Sequence, residues 1–114
     1  MSDLIVILCA CGDETEALRV ANALIDDRLA ACVNALPAMQ SVYRWKGSIE
    51  TAREVLLLIK TTGDRFPALR DRILELHSYE TPEIIALPIV AGAEKYLAWL
   101  REQVSCEQVS GEQV

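Results

Sequence analysis

The sequence predicts an α+β domain in which an antiparallel sheet carries its main helices on one face. Three observations predict it. Apolar runs of strand length alternate with stretches of helical periodicity, two extended runs flank a short turn, and 114 residues make one domain's worth of chain. The run Leu4 to Leu8 is short, apolar and rich in β-branched residues, which suits a first strand buried on both faces. Asp13 followed by Glu16 is a capping-box pattern, and Ala17, Ala21, Leu24 and Ile25 then recur at helical spacing. Extended sequence resumes near Cys32 and runs through Val42, Tyr43 and Trp45. Lys46, Gly47 and Ser48 carry the turn signal, and Ile49 to Thr61 returns, so residues 32–61 read as one long hairpin.

Asp64 is placed to cap a second helix whose Phe66, Leu69, Ile73 and Leu76 share a face, with Pro67 tolerated in the first turn and the end near His77 to Tyr79. Glu83 to Val90 reads as a further strand. Pro88 deletes a ladder donor there and implies an edge or a bulge. Gly92 opens a third helix that buries Tyr96, Leu97 and Leu100. The order β-α-β-β-α-β-α contains the split βαβ, or ferredoxin-like, motif in its first six elements.

The hairpin bears on assembly. A domain of this size is roughly 35 Å across, whereas Cys32 to Trp45 fully extended at about 3.3 Å per residue exceeds 40 Å. Either the arm overhangs the domain or Pro37 ends a short strand and a loop follows. An overhanging apolar arm exposes unpaired backbone, and a second copy of the chain is the economical cover. Homo-oligomerisation is therefore expected.

Composition narrows the function. The formal net charge is -6, and 52% hydrophobic with 25% charged residues is an ordinary globular mixture. Eleven scattered basic residues make no nucleic-acid footprint. The apolar runs fall short of the roughly 20 residues of a bilayer span, and the first residues lack a signal-peptide pattern. No nucleic acid, no membrane and a cytoplasmic location are the expectations. Residues 102–114 repeat Glu-Gln-Val around Glu102, Glu107 and Glu112 without a basic residue. Without those three acids, fourteen remain against eleven bases, a net of -3 for residues 1–101. A folded domain over 1–103 and a low-complexity, disordered acidic tail over 104–114 are expected.

Cys9 and Cys11 fall two apart at the end of the first strand, and thiolates favour soft ions such as copper(I) or zinc. Cys9 and Cys32 also read as small buried apolar residues, and Cys106 lies in the tail. His77 is the only histidine and sits in the densest polar stretch, His77 to Glu83. It is either a ligand or proton shuttle, or a group facing the last carbonyls of its helix. Glu80 and Glu83 are an acid-base pair or solvated loop acids. Tyr43, Trp45, Tyr79 and Tyr96 suit a cleft or a subunit interface, and core packing is the default for Trp99. Lys60 ends five apolar residues and either binds an anion or snorkels from a strand end. No phosphate loop and no activated nucleophile points to an enzyme.

Ala30-Ala31-Cys32-Val33-Asn34, Val42-Tyr43-Arg44-Trp45-Lys46-Gly47, Leu58-Ile59-Lys60-Thr61, the stretch His77-Ser78-Tyr79-Glu80-Thr81-Pro82-Glu83-Ile84-Ile85-Ala86-Leu87-Pro88 and Tyr96-Leu97-Ala98-Trp99 closely resemble the CutA family of divalent-cation tolerance proteins over about residues 3–103. The resemblance implies a ferredoxin-like subunit in a homotrimer and a copper site carried by Cys9 and His77, with other divalent cations as alternatives. Leu76 and Ser78 depart from the family's histidine and proline there, so Cys11, water or a neighbouring subunit would complete the coordination. It also implies an intersubunit cleft formed by Trp45, Lys60, Tyr79, Glu83 and Trp99. A trimer of such subunits resembles PII-type signalling proteins too, which implies a small-ligand sensor or scaffold as the alternative function.

Overall fold

In the computed structural model, which describes residues 3–105, the order of elements is β1 (Leu4–Cys11), α1 (Glu14–Asp26), β2 (Cys32–Trp45), β3 (Ser48–Thr62), α2 (Phe66–Leu76), β4 (Ile85–Pro88) and α3 (Glu94–Gln103). A single 3-10 turn, Gly63–Arg65, leads into α2. The four strands form one sheet in the order β2-β3-β1-β4, every pair antiparallel. Alternation sets its two faces. Ile7, Cys9 and Cys11 on β1 pair with Ile59, Leu57 and Val55 on β3 and point together into the core under α1 and α2. There they meet Ala17, Val20 and Leu24 from α1 and Leu69 and Ile73 from α2, and none of these five retains exposed surface. Each large aliphatic side chain so buried stabilises the fold by about 1.5–3 kcal/mol.

The opposite face is open. Val6 and Leu8 are only half-buried, so β1 is not covered on both sides as the apolar run implied. α3 covers one end of that face, where Leu100 packs with Leu4, Ala31 and Val104. Val104 is buried, so the packed body continues through it, and the acidic repeat from Cys106 onward lies outside the described residues. Tyr96 and Trp99, expected to be buried, are each more than two-fifths exposed and stack on one another at 5.9 Å. α3 begins at Glu94 rather than at Gly92, whose missing side chain makes room for Leu97.

Other boundaries shifted for identifiable reasons. Asp64 does not cap α2; it accepts from the Thr62 hydroxyl within the 3-10 turn, and Arg65 is the N-cap residue, without a capping side chain. The last strand contracts to four residues at the sheet edge, where Pro88 withholds no bond the ladder needs.

The hairpin is continuous and overhangs. Of β3, β1 pairs with Val55–Thr62 alone, whereas β2 and β3 pair as far as Trp45 and Ser48, and the molecule measures 51 × 27 × 24 Å. Lys46 and Gly47 close it with φ of 50° and 86°, the positive pair that matches the strand twist. Pro37 does not end β2. The ladder steps from Leu36↔Leu56 to Met39↔Glu54, so β2 carries one extra residue in a bulge, with Ala38 at φ 62°. Left-handed backbone costs a non-glycine residue about 1–2 kcal/mol. Ala38→Gly is therefore expected to stabilise the protein by about 0.5–1 kcal/mol after the extra freedom of glycine in the unfolded chain is deducted. Ala38→Val should move the urea midpoint the opposite way; a midpoint unchanged in both variants would show that the bulge carries no strain.

Candidate metal centre and the adjoining cleft

β1 ends at Cys11, and three later elements gather around that end. Cys9 and Cys11 share the core-facing side of the strand and carry no exposed surface. α2 ends at Leu76, which turns the ring of His77 inward, so it does not face its own helix carbonyls. Single ligand atoms of Cys9, Cys11 and His77 lie within 4.8 Å of one another, the one such group of three or more His, Cys, Asp or Glu among the described residues. The donor set of two sulfurs and one imidazole nitrogen fits a soft cation. A hydrogen bond with Cys11 pushes the Cys9 thiol far above its ordinary range, assisted by burial and by the carboxylates of Glu83 and Glu16. The same bond pulls Cys11 down. The two thiols share this hydrogen bond and so lose their protons as a pair, the second against the charge left by the first.

His77 is already engaged on both sides. Nε2 donates to the Ala10 carbonyl at 2.7 Å, and Nδ1 accepts from the Tyr79 N–H at 3.0 Å, which assigns the Nε2–H tautomer from the network. Ligation requires the ring to release one of these partners.

Glu16 holds the surrounding chain in place, a role the sequence reading missed. Asp13 caps α1 by accepting from the Glu16 N–H at 2.8 Å, as the capping pattern implied. The Glu16 side chain does something else: it accepts from the Gly12 N–H at 3.2 Å and, across 62 residues, from the Ser78 N–H at 2.6 Å. Burial alone would raise its carboxyl, but the Ser78 and Gly12 bonds outweigh that and hold it below its ordinary value. Gly12 leaves room for the Tyr79 hydroxyl, which would stand 3.3 Å from an added Cβ.

The open face beyond the end of β1 contains a cavity of about 610 Å³ lined by Tyr43, Trp45, Glu54, Tyr79, Glu80 and Glu83 among others. Glu54 is 7% exposed and accepts from Ser41 Oγ at 2.6 Å and from the Tyr79 hydroxyl at 2.7 Å. Burial and that bond raise the Tyr79 hydroxyl, keeping it a donor. Of the five expected cleft residues, Trp45, Tyr79 and Glu83 meet here. Lys60 and Trp99 do not: Lys60 Nζ donates to Asn34 Oδ1 at 2.9 Å and to the Tyr96 hydroxyl at 3.3 Å, and Trp99 stacks on that tyrosine. Cys32, expected to be buried, is half-buried beside this second group. Glu54 gave no signal in the sequence beyond being an acid in an extended run.

Comparisons with known proteins agree with this architecture. The family model described as CutA1 divalent ion tolerance protein matches residues 5–103. The Divalent-cation tolerance protein CutA of Thermus thermophilus is 50% identical over 97 residues, covering 85% of this chain and 94% of that protein. A solved structure of the divalent cation tolerance protein from Thermus thermophilus superposes with a TM-score of 0.87 at 47% identity, covering 90% of this chain and 99% of the other. One from Archaeoglobus fulgidus, described as the periplasmic divalent cation tolerance protein CutA, gives 0.87 at 38% identity over 90% of this chain and 99% of the other.

The Glu16 bonds make a prediction about pH. A carboxyl held low in the fold contributes stability above its ordinary value of 4.5, and that contribution disappears as pH falls through the folded value. Glu16→Ala leaves two amides unpaired and should cost about 1–3 kcal/mol at pH 7. Chemical unfolding at pH 7 and pH 3 checks it: the gap between wild type and variant should narrow at the lower pH.

Proposed function

The chain belongs to the CutA1 divalent ion tolerance family, and from that premise we propose that it binds a soft metal ion, copper foremost, through Cys9, Cys11 and His77 and acts as a homotrimer. The observation that carries this reading is the convergence of three buried soft donors within 4.8 Å. Cys11 supplies the third donor that Cys9 and His77 lack by themselves, so Leu76 and Ser78 need not contribute. Copper(I) or zinc is the best match to two thiolates and an imidazole, and capture couples to proton loss from the thiols. The free thiols of Cys9, Cys11 and Cys32 suit a reducing compartment, and the cytoplasm is the proposed location. No helix among the described residues is long and apolar enough to cross a membrane.

The trimer is supported by the overhang. Val42 and Ile49 near the hairpin tip are each 68% exposed, and Tyr43 and Trp45 about half, an apolar arm that a neighbouring copy would cover. Lys60 and Trp99 would join Trp45, Tyr79 and Glu83 in one cleft only across such a subunit boundary. The cavity itself favours a second reading, a small-ligand sensor or scaffold of the PII kind in which metal effects are indirect; its volume falls in the usual range for small-molecule sites.

Two measurements test these readings. Calorimetric titration with copper(I) and with zinc should show Cys9→Ser and Cys11→Ser each losing more affinity than the about 10–100-fold that a merely supporting residue costs, with His77→Ala also weakened. Unchanged affinity in all three variants would remove the site. Sedimentation equilibrium should return the mass of three chains of 12.6 kDa each, and a folded monomer would refute the assembly.

A further inference from the structure

The single histidine carries its proton on the nitrogen that faces the thiols. Nε2 donates to the Ala10 carbonyl at 2.7 Å, and Ala10 separates Cys9 from Cys11 on β1, so this nitrogen lies beside both sulfurs. Nδ1 faces the loop instead, where it accepts from the Tyr79 N–H at 3.0 Å and stands 3.7 Å from Glu16 Oε2. A neutral imidazole that gives one nitrogen to a cation keeps its proton on the other, and that N–H needs an acceptor. The resting network has the opposite polarity: Nε2 is filled by the proton and Nδ1 meets a donor. Glu16 is the acceptor the fold holds ready for the reversal. Its carboxylate is fixed in advance by the Gly12 N–H at 3.2 Å and the Ser78 N–H at 2.6 Å. The imidazole side chain has no exposed surface, so an N–H formed on Nδ1 has no solvent to turn to.

We infer that Glu16 is the positioning residue of the metal centre: with Nε2 given to the ion, the ring proton stands on Nδ1 and is held by Glu16 Oε2. The inference rests on the reading of Cys9, Cys11 and His77 as a metal site and adds the residue that sets the ring's tautomer. Nε2 loses its proton to solvent as the nitrogen–metal bond forms, Nδ1 gains one from solvent, and the ring stays neutral. An approach of about 1 Å brings Nδ1 and Oε2 to hydrogen-bond length, and the Tyr79 amide leaves Nδ1 in the exchange. Ligation through Nδ1 would set the ion on the loop side of the ring, away from the carbonyl that separates the two cysteines. Cys9, Cys11, Glu16 and His77 are all buried within one chain, so this geometry holds whether or not a second copy covers the hairpin.

The test exploits the single histidine: with nitrogen-15 in its ring, the full chain in its native assembly gives one imidazole spectrum, recorded without and with zinc alongside calorimetric titration. Zinc-free protein should show the proton on Nε2. Zinc should move it to Nδ1, where it exchanges slowly with water. Glu16→Gln keeps the shape but turns an amide N–H toward one of these donors. It should lose about 10–100-fold in zinc affinity together with the slow exchange of the Nδ1 proton, a signature that a merely structural role would leave unchanged. The wild-type spectra decide the tautomer even if Glu16→Gln does not fold. Zinc on Nδ1 with the proton kept on Nε2 overturns the inference, and so does a folded Glu16→Gln with unchanged affinity and an equally slow Nδ1 proton. Zinc uptake without a change in the ring spectrum overturns it and leaves a thiolate site standing. No uptake at all removes the metal reading with it.

Discussion

Strand β1 supplies eight residues to a neighbour of fifteen, and the arrangement of the molecule follows from where it stops. Up to Cys11 the sheet is four strands wide at most and has a covered face. Beyond Cys11, β3 has β2 on one side and no paired strand on the other among the described residues. The chain must leave the sheet at Gly12, turn into α1 and later pass the same point again at His77 to Tyr79. Two passages past one strand end bring together side chains far apart in sequence: Glu16 with Ser78, His77 with Ala10, Tyr79 with Glu54. The buried thiols lie on one side of that strand end and the acidic cavity on the other.

The bulge at Pro37 and Ala38 is the second determinant. An inserted residue reverses which side chains of β2 face which way, because strand periodicity is two. Val33 and Ala35 share the helix-covered side with Ile59 and Leu57, but past the bulge it is Met39, Ser41, Tyr43 and Trp45 that share the open side with Glu54. Without the extra residue Ser41 would turn away from Glu54, and Tyr43 and Trp45 would leave the open face. A local irregularity costing about 1–2 kcal/mol of left-handed backbone at Ala38 thus sets the chemistry of a cavity many residues away.

Much of this was legible in the sequence, and the failures have physical causes. The order of elements, the long hairpin and the edge position of the Pro88 strand followed from periodicity and from the missing proline donor. The bulge did not, since Pro37 reads equally as a strand end and the left-handed position is held by Ala38 rather than by a signalling glycine or asparagine. Cys9 and His77 were visible as soft donors, whereas Glu16 was hidden behind its capping-box position, where it served a different amide. Within one chain Lys60 lies six residues along β3 from Glu54, about 20 Å of extended chain, so its expected grouping with Trp45 is one that only a second copy could make. Exposure of Tyr96 and Trp99 was equally hidden, because their helical spacing fits an interface as well as a core.

The two faces at the end of β1 are not independent, and one residue joins them. The N–H of Tyr79 donates to His77 Nδ1, and its hydroxyl donates to Glu54 Oε2 in the cavity wall. A ring that released Nδ1 to a metal would leave that amide without its acceptor and loosen the segment carrying the hydroxyl; a ring that used Nε2 would instead free the Ala10 carbonyl, and Ala10 also lines the cavity. Either route of ligation perturbs the wall. Occupancy of the cavity that fixes Tyr79 against Glu54 resists the same displacement, and linkage requires the two effects to be equal in free energy. Under the proposed metal and small-ligand readings, capture and ligand binding would be competing demands on one short segment, Ser78 to Glu83, held at its start by Glu16.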